Sequence, residues 1–270
     1  MFKQLFALAT ILLLLVSSAS AEPLVSFELQ VQPILAARGC SAGACHGKAR
    51  GQNGFQLSLL SFDPDFDYAS LILHARGRRV FPGAPDHSLL LLKATGQVPH
   101  GGGERFSIDG EEYKTLLSWI EQGTLRRRAD EPTLTRVEAS PEAKLLTPGE
   151  EQPLAVTAHY SDGTARDVTS MAMYQSNESA VVSVNSRGIM KAGPIPGEAA
   201  IMVRFMNVIA TCRVAIPLAG DVPAELYENL PRQNFIDGLV WSKLQSLGIT
   251  PSLPVDDAKY MRRVYVDIIG

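Results

Sequence analysis

Two cysteines and a histidine lie close together near the start of the chain, in the sequence Arg-Gly-Cys-Ser-Ala-Gly-Ala-Cys-His-Gly at residues 38–47. Covalent attachment of a haem needs two thiols that add across its vinyl groups, and an imidazole beside the second thiol that reaches the iron. Cys40 and Cys45 can supply the thiols, and His46 the imidazole. The usual motif has two residues between the cysteines, whereas this one has four. Because residues 41–44 are all small and include a glycine, the extra length can bulge out of the loop.

The same three side chains allow other interpretations. A local disulfide between Cys40 and Cys45, beside a surface histidine, needs no cofactor. A zinc site made of Cys40, Cys45, His46 and one further histidine is a third interpretation, although the sequence has no second pair of ligands. The spacing by itself leaves haem and disulfide open.

Residues 1–21 have the pattern of a secretory signal peptide. Lys3 supplies the positive start, residues 5–16 form an apolar run, and Ala19-Ser20-Ala21 offers a cleavage site of small residues. We therefore predict an exported protein, periplasmic or at the cell surface, with an uncleaved anchor as the alternative. Because bacteria attach haem outside the cytoplasm, export favours the haem interpretation. No later stretch is apolar enough to cross a membrane.

Composition places the chain among ordinary globular proteins. Its 270 residues allow about two domains, and it is 46% hydrophobic and 20% charged. The net charge of -3 gives no reason to expect nucleic acid or an anionic membrane as a partner. Of the three cysteines, Cys212 is left over from the loop, and we expect it to be a buried apolar thiol on a strand.

Two helices are predicted on either side of the cysteine loop in the sequence. Apolar residues recur at helical spacing over residues 26–38. A second helix is predicted from Asp109, as its N-cap, to Gln122, with Gly123 as its stop. These elements predict a mainly α domain over residues 22–128.

Residues 30–123 resemble the planctomycete-type cytochrome c domain, which occurs in large exported proteins of mostly unknown activity. The matching stretches are Val31-Gln32-Pro33-Ile34-Leu35, Cys45-His46-Gly47, Pro82-Gly83, Ser88-Leu89-Leu90, Trp119-Ile120 and Gly123. The resemblance implies haem c attached covalently through Cys40 and Cys45, with His46 as the proximal iron ligand. The chain departs from the family in its cysteine spacing and in lacking the family's late methionine.

The second axial ligand of such a haem is expected to be a histidine. No methionine lies between the first residue and Met171, so the domain cannot supply a thioether. The available imidazoles are His74, His87 and His100. His100 precedes the flexible glycines 101–103 and stands where the resembling family carries its methionine. We predict His100 as the distal ligand, with His87, His74 or an open site as alternatives.

The pattern changes to alternation of apolar and polar residues after the charged segment 126–132. Strands are predicted at 135–139, 154–160, 181–184 and 201–205, separated by turns, as in a β-sandwich. Residues 133–217 resemble a bacterial immunoglobulin-like (Big) domain. The stretches that carry this resemblance are Tyr160-Ser161-Asp162-Gly163-Thr164, Asp167-Val168-Thr169, Ser176-Asn177, Arg187-Gly188-Ile189 and Gly197-Glu198-Ala199. Such modules are spacers or adhesive elements, which implies a cell-surface polymer or protein as a possible partner.

The last residues do not complete a domain. Amphipathic helices are predicted over 234–247 and from about 256 to 268. Residues 225–270 resemble the start of the uncharacterised domain that follows in the cytochrome c family. We therefore expect residues 225–270 to be the truncated start of a further helical domain in a longer protein.

The sequence thus predicts a multidomain chain, with a mainly α cytochrome c-like domain, an all-β immunoglobulin-like sandwich and a partial helical segment at the end. The main functional prediction is an exported c-type haem protein that transfers single electrons to a redox partner that the sequence does not identify. The alternative is a cofactor-free adhesive or structural protein of the cell surface with a Cys40–Cys45 disulfide. Haem enzymology, such as peroxide reduction, is a third reading. No nucleophile elbow, phosphate loop or HExxH helix occurs in the sequence.

Overall fold

The structure is a computed structural model that describes residues 23–220 and 222–270. The signal peptide predicted at residues 1–21 lies outside the described residues. The chain forms two compact units. The first consists of the segment up to Val31 together with Leu71–Arg128, and the second of Gln32–Ser70 together with Ala129–Gly270.

The first unit is built around the longest of its helices. It contains a π-helical turn at Phe27–Val31, 3-10 turns at His74–Gly77 and Pro85–His87, helix α3 at Leu89–Ala94 and helix α4 at Glu111–Glu121. Tyr113, Leu116, Trp119 and Ile120 recur at helical spacing and form the buried face of α4. The helix ends where Gly123 adopts a φ of 88°, a left-handed conformation that glycine accepts at little cost.

Trp119 ties the start of this unit to its end. Its ring is fully buried, with the ring centroid 5.9 Å from that of Phe27. Its indole Nε1 donates to the carbonyl of Leu125 at 2.9 Å, and that carbonyl also accepts from the backbone N–H of Phe27. Arg126 then pairs with Glu28 at 3.1 Å. The segment before the first helical turn and the segment after α4 therefore pack side by side.

The second unit begins with helices α1 at Gln32–Ala37 and α2 at Pro64–Tyr68. The side chain of Asp63 caps α2 by accepting from the N–H of Phe66 at 3.0 Å, and Pro64 occupies the first turn, where no N–H is needed. The cysteine loop lies between these two helices in the sequence.

The largest part of the second unit is a β-sandwich of ten strands, which form sheets in the orders β1-β4-β5, β2-β10-β9-β6 and β3-β8-β7. The strands are β1 Leu134–Ser140, β2 Ala143–Leu145, β3 Glu151–Pro153, β4 Ala155–Tyr160, β5 Ala165–Asp167, β6 Met173–Ser176, β7 Val182–Val184, β8 Ile189–Ala192, β9 Gly197–Phe205 and β10 Val208–Ile216. Buried and more exposed side chains alternate along β9 and along the first part of β10, so each strand has one buried face. The residues on these faces include Ile201, Val203, Phe205, Cys212, Val214 and Ile216.

The chain passes from one sheet to another between its first two strands. β1 pairs antiparallel with β4, and after Pro141 the chain continues as β2, which pairs parallel with β10. The second strand of the sandwich, β2, is therefore a parallel neighbour of its last strand, β10. This arrangement, with antiparallel sheets packed over an alternating core, is immunoglobulin-like.

Three helices follow the sandwich, namely α5 at Glu225–Glu228, α6 at Phe235–Ser246 and α7 at Asp257–Ile269. The end of α6 is fixed to the sandwich unit by the bond from Leu218 N–H to the carbonyl of Leu247, at 2.9 Å. The ion pair of Lys243 with Glu198 and the bond from Tyr227 to the carbonyl of Ile249 add to it. No residue of α7 is buried. None of the described helices is long and apolar enough to cross a membrane.

The mainly α cytochrome c-like fold predicted for residues 22–128 is wrong. The layered part of the fold is the β-sandwich of residues 134–216, and the upstream helices are short apart from α4. Helix α1 and the cysteine loop belong to the same unit as the sandwich, whereas α4 belongs to the other unit. The sequence pattern identified both helices but could not show that they belong to different units.

Candidate functional site

The cysteine loop closes on itself directly after α1. The N–H of Cys40 donates to the carbonyl of Leu35 at 2.9 Å, at the end of the helix. The N–H of His46 donates to the carbonyl of Cys40 at 3.0 Å, and that of Cys45 to the carbonyl of Ala42 at 2.9 Å. These turns place both thiols and the imidazole on one compact loop, as the sequence predicted, and all three side chains are half-buried.

Gly47 is the residue that lets this loop close. A Cβ atom at this position would lie 1.9 Å from the backbone oxygen of Ser41, a distance that no side chain can occupy. That oxygen accepts from the N–H of Leu60 at 2.9 Å, and the buried Ser41 hydroxyl bonds to that of Ser61. A glycine is therefore needed at position 47 for packing alone, whether or not the loop binds a cofactor.

The imidazole of His46 is held by its neighbour across the loop. Its Nδ1 lies 2.9 Å from the carbonyl oxygen of Phe55, and the two ring centroids are 4.5 Å apart. With the proton on Nδ1, this bond leaves Nε2 as the nitrogen that can bind a metal, which is the usual arrangement of a histidine ligand. This part of the geometry fits the predicted role of His46 as the proximal iron ligand.

A buried carboxylate, which the sequence analysis missed, anchors the segment after the loop. Asp67 is 1% exposed and accepts from the N–H and hydroxyl of Ser58 and from Nε2 of Gln32. Burial raises the pKa of Asp67 above its ordinary value of 3.8, and these hydrogen bonds oppose the rise. Its signal in the sequence is a carboxylate between the aromatic residues Phe66 and Tyr68.

Neither the disulfide nor the zinc interpretation gains support. Cys40 and Cys45 are not joined by a disulfide, and Cys212 is buried, which raises the pKa of its thiol as expected for an apolar strand position. Among residues 23–220 and 222–270, no cluster of three or more histidine, cysteine, aspartate or glutamate side chains is arranged to hold a metal ion.

The three candidate distal ligands belong to the first unit, whereas the cysteine loop belongs to the second. The side chain of His100 lies with Nδ1 3.1 Å from the carbonyl oxygen of Gly103. His87 is exposed beside Asp86, and His74 is also exposed. The assignments of haem c to Cys40 and Cys45, of His46 to the iron and of a distal histidine therefore stay predictions.

Apart from the cysteine loop, the parallel pairing of β2 with the last strand, β10, is the other feature that bears on function. The N–H of Arg213 on β10 donates to the carbonyl of Glu142 at 2.8 Å, and the N–H of Leu146 donates to the carbonyl of Ala215 at 2.9 Å. Between these bonds, β2 and β10 pair in parallel register. The sequence pattern does not indicate this contact, because β2 is three residues long and its side chains are exposed.

A polar network lies on the outer face beside this pairing. His159 Nε2 donates to Glu138 at 2.8 Å, and Arg136 also pairs with Glu138. The hydrogen bond from His159, with Arg136 alongside, lowers the pKa of Glu138. The side chain of His159 is partly buried by this network.

Comparison with known proteins gives no family. Neither protein-family models nor curated proteins match the chain. The cytochrome c resemblance is wrong. It is therefore also wrong to interpret the chain as a member of a haem-binding, electron-transferring cytochrome family. These comparisons do not test the chemistry of the cysteine loop itself.

Solved structures are similar to this chain over about a third of its length. One is domains 4 and 5 of the S-layer protein SbsC, at 16% identity and a TM-score of 0.28, covering 32% of this chain and 53% of that one. SbsC domains 5–6 share 18% identity at a TM-score of 0.29, covering 34% and 48%. A GH10 xylanase from termite gut that contains a bacterial Ig-like domain shares 20% at a TM-score of 0.21, covering 33% and 21%. The chain spans about half the length of the SbsC domain pairs that it matches.

Proposed function

We propose that the chain is a structural protein of the cell surface, in which the sandwich bears tension between the segments before and after it. The observation that carries the proposal is the parallel pairing of β2, which directly follows the entering strand β1, with β10, the strand through which the chain leaves the sandwich. The surface location rests on the signal peptide predicted at residues 1–21.

The parallel pairing of β2 and β10 determines how the sandwich responds to a pulling force. Tension on the preceding segment pulls β2 towards its own start, and tension on the following segment pulls β10 towards its own end. Because the strands run in the same direction, the two pulls slide them past each other along their length. All the bonds between them are then loaded together, rather than opened one at a time as in peeling.

The bonds available to resist sliding are well formed. Those from Arg213 to Glu142 and from Leu146 to Ala215 bracket the paired stretch, at 2.8 and 2.9 Å. The buried side chains of Leu146 and Val214 lie beside them in the core. Each such bond contributes about 0.5–1.5 kcal/mol net to stability, but under shear they must break in concert. Forced unfolding is governed by the unfolding rate, and bonds that must break together lower that rate.

The test is single-molecule stretching of the full chain by its two ends. Alternate residues of a parallel strand face the partner strand, so the backbone of Lys144, between Glu142 and Leu146, faces β10 and that of Leu145 faces away. Lys144→Pro removes a bond to β10, and Leu145→Pro removes an N–H that does not face it. Lys144→Ala controls for the lost charge.

Unfolding of residues 134–216 should lengthen the chain by about 28 nm, at about 3.4 Å per residue, in one high-force step. Lys144→Pro should lower the force of that step, while Leu145→Pro and Lys144→Ala leave it unchanged. Equal forces for the wild type and Lys144→Pro would contradict the proposal.

A further inference from the structure

The hydrogen bonds and ion pairs of helix α7 stay within its own segment of the chain. Within residues 23–220 and 222–270, no such bond joins residues 251–270 to another segment. None of the 13 residues of α7 is buried. An isolated helix of this length is marginally stable in water, because its few backbone bonds barely offset the cost of nucleation. A surface that covers one face of α7 would therefore stabilise it.

The large apolar side chains of α7 gather on one face. Successive residues of a helix are about 100° apart around its axis, so five of them fall within less than half of the circumference. They are Tyr260, Met261, Val264, Tyr265 and Ile268. All but Val264 are more than half exposed. An exposed apolar face of this kind is typical of a site that contacts a partner or a membrane.

Positive charge flanks the apolar face. Arg262 lies beyond one edge of it and Arg263 beyond the other, and neither forms an ion pair with any residue of 23–220 or 222–270. Lys259 is paired with the capping residue, Asp256, at 3.4 Å. The one carboxylate of α7 after its first turn is Asp267. The net charge of -3 belongs to the whole chain and does not describe this helix.

These charges distinguish between the surfaces that could cover the apolar face. A second copy of α7 would cover the apolar side chains, but it would leave the flanking Arg262 and Arg263 without anions. A lipid bilayer with anionic headgroups matches both features, because its acyl region takes up the apolar side chains and its phosphates lie beside the flanking cations. The charge pattern therefore favours a lipid surface.

We propose that α7 lies on the surface of a lipid bilayer that contains anionic phospholipid. Met261 and Ile268 are buried at the boundary between the headgroups and the acyl chains, and Arg262 and Arg263 lie among the phosphates. Tyr265 suits this depth, because its ring is apolar and its hydroxyl is polar. The helix lies along the surface and does not cross the bilayer, for which it is too short. This site goes beyond the tension-bearing role of the sandwich and does not depend on it.

The test measures co-sedimentation of the chain with vesicles of phosphatidylcholine, alone or mixed with an equal part of phosphatidylglycerol. The chain is used from residue 22 onwards, because a signal peptide itself partitions into lipid. Met261→Ser with Ile268→Ser removes apolar surface, and Arg262→Gln with Arg263→Gln removes charge. Ile195→Ser, at an exposed apolar residue of the sandwich, is the matched control. All five side chains are exposed, so the variants should keep the wild-type melting temperature.

The wild type and Ile195→Ser should bind the mixed vesicles equally, and the serine pair in α7 should bind them about tenfold more weakly or less. The glutamine pair should lose about fivefold per charge on mixed vesicles and nothing on neutral ones. Bound vesicles should slow amide exchange in α7. The proposal would be overturned by no binding, by binding that the serine pair does not weaken, or by equal binding to both kinds of vesicle. Self-association that the serine pair abolishes would also overturn it, because a second copy would then cover the face.

Discussion

His46 and Phe55 are joined twice, by the contact of Nδ1 with the Phe55 carbonyl at 2.9 Å and by rings whose centroids lie 4.5 Å apart. This pair fixes the imidazole without any cofactor. The loop is therefore a folded element in its own right, and its chemistry can be tested separately from its stability.

Loop closure should depend on Gly47 and not on Gly43. A Cβ at Gly47 would meet the Ser41 backbone oxygen at 1.9 Å, whereas one at Gly43 would lie 3.8 Å from the nearest atom, on Leu59. Gly47→Ala should cost about 1–3 kcal/mol of unfolding free energy, the usual range for overpacking, and Gly43→Ala less than about 0.5 kcal/mol. Denaturant unfolding of both variants checks this, and equal stabilities would show that the loop is not closed here.

The haem prediction for Cys40, Cys45 and His46 has a direct readout. In a host that matures c-type proteins with this cysteine spacing, the exported chain should exceed its mature polypeptide mass by one haem, and should keep its colour after denaturation. Cys40→Ser with Cys45→Ser should abolish the added mass. A colourless wild-type product in that host would end the haem assignment.

The prediction that His100 is the distal iron ligand is tested by electron spin resonance on the haem-loaded chain, if that forms. His100→Ala should convert a low-spin signal with two imidazoles into a high-spin one, and His87→Ala and His74→Ala test the two alternative ligands. An unchanged signal in His100→Ala would remove His100 as the ligand.

Asp67 should make the stability of the second unit depend on pH. Its folded pKa is raised by burial, so its contribution to the free energy of unfolding is fully present below 3.8 and is lost as pH rises through the folded value. The stability of the wild type relative to Asp67→Asn should therefore fall as pH rises from about 4 towards neutrality. Chemical denaturation of both proteins across this range measures the difference. A difference that does not change with pH would show that Asp67 is not desolvated.

Helix α7 should be the least protected helix of the second unit. None of its residues is buried, and Tyr260, Met261, Tyr265 and Ile268 are more than half exposed. Its amides should exchange with solvent much faster than those of β9, with the end of α6 intermediate because Leu247 is bonded to Leu218. Protection in α7 equal to that in β9 would mean that its apolar face is covered.

How far the sequence predicts the fold depends on burial. Strands β4 and β9 were predicted because one face is buried, which imposes alternation on their side chains. The three-residue strands β2, β3 and β5 have mostly exposed side chains, so their pairing is set by their partners and leaves no pattern. The parallel contact of β2 with β10 depends on that pairing, which is why the sequence did not indicate it.

Local capping and tertiary placement also limited the predictions. Asp109 was predicted to cap α4, but the helix begins after Gly110, and Asp109 is bonded through its N–H to the Ser107 hydroxyl. Ser88, which directly precedes α3, accepts from the N–H of Phe81 and does not cap that helix with its side chain. The motif around Cys45 correctly indicated a compact loop. Gly47 in that motif is explained by its close approach to the backbone oxygen of Ser41, which is a packing requirement and not evidence of a cofactor.

The central claim is that the sandwich resists tension because the pull slides β2 along β10 and loads the bonds between them together. Since β2 is parallel to β10, the start of the first strand and the β9–β10 turn at Asn207 lie at the same end of the sandwich. Stretching between the chain's start and Asn207 should therefore peel strands apart one bond at a time.

The decisive measurement compares the unfolding force of the sandwich when the full chain is stretched between its two ends with the force when it is stretched between its start and Asn207. Shear predicts a force several times higher for the end-to-end geometry, reduced by Lys144→Pro in that geometry alone. Equal forces in the two geometries would contradict the account.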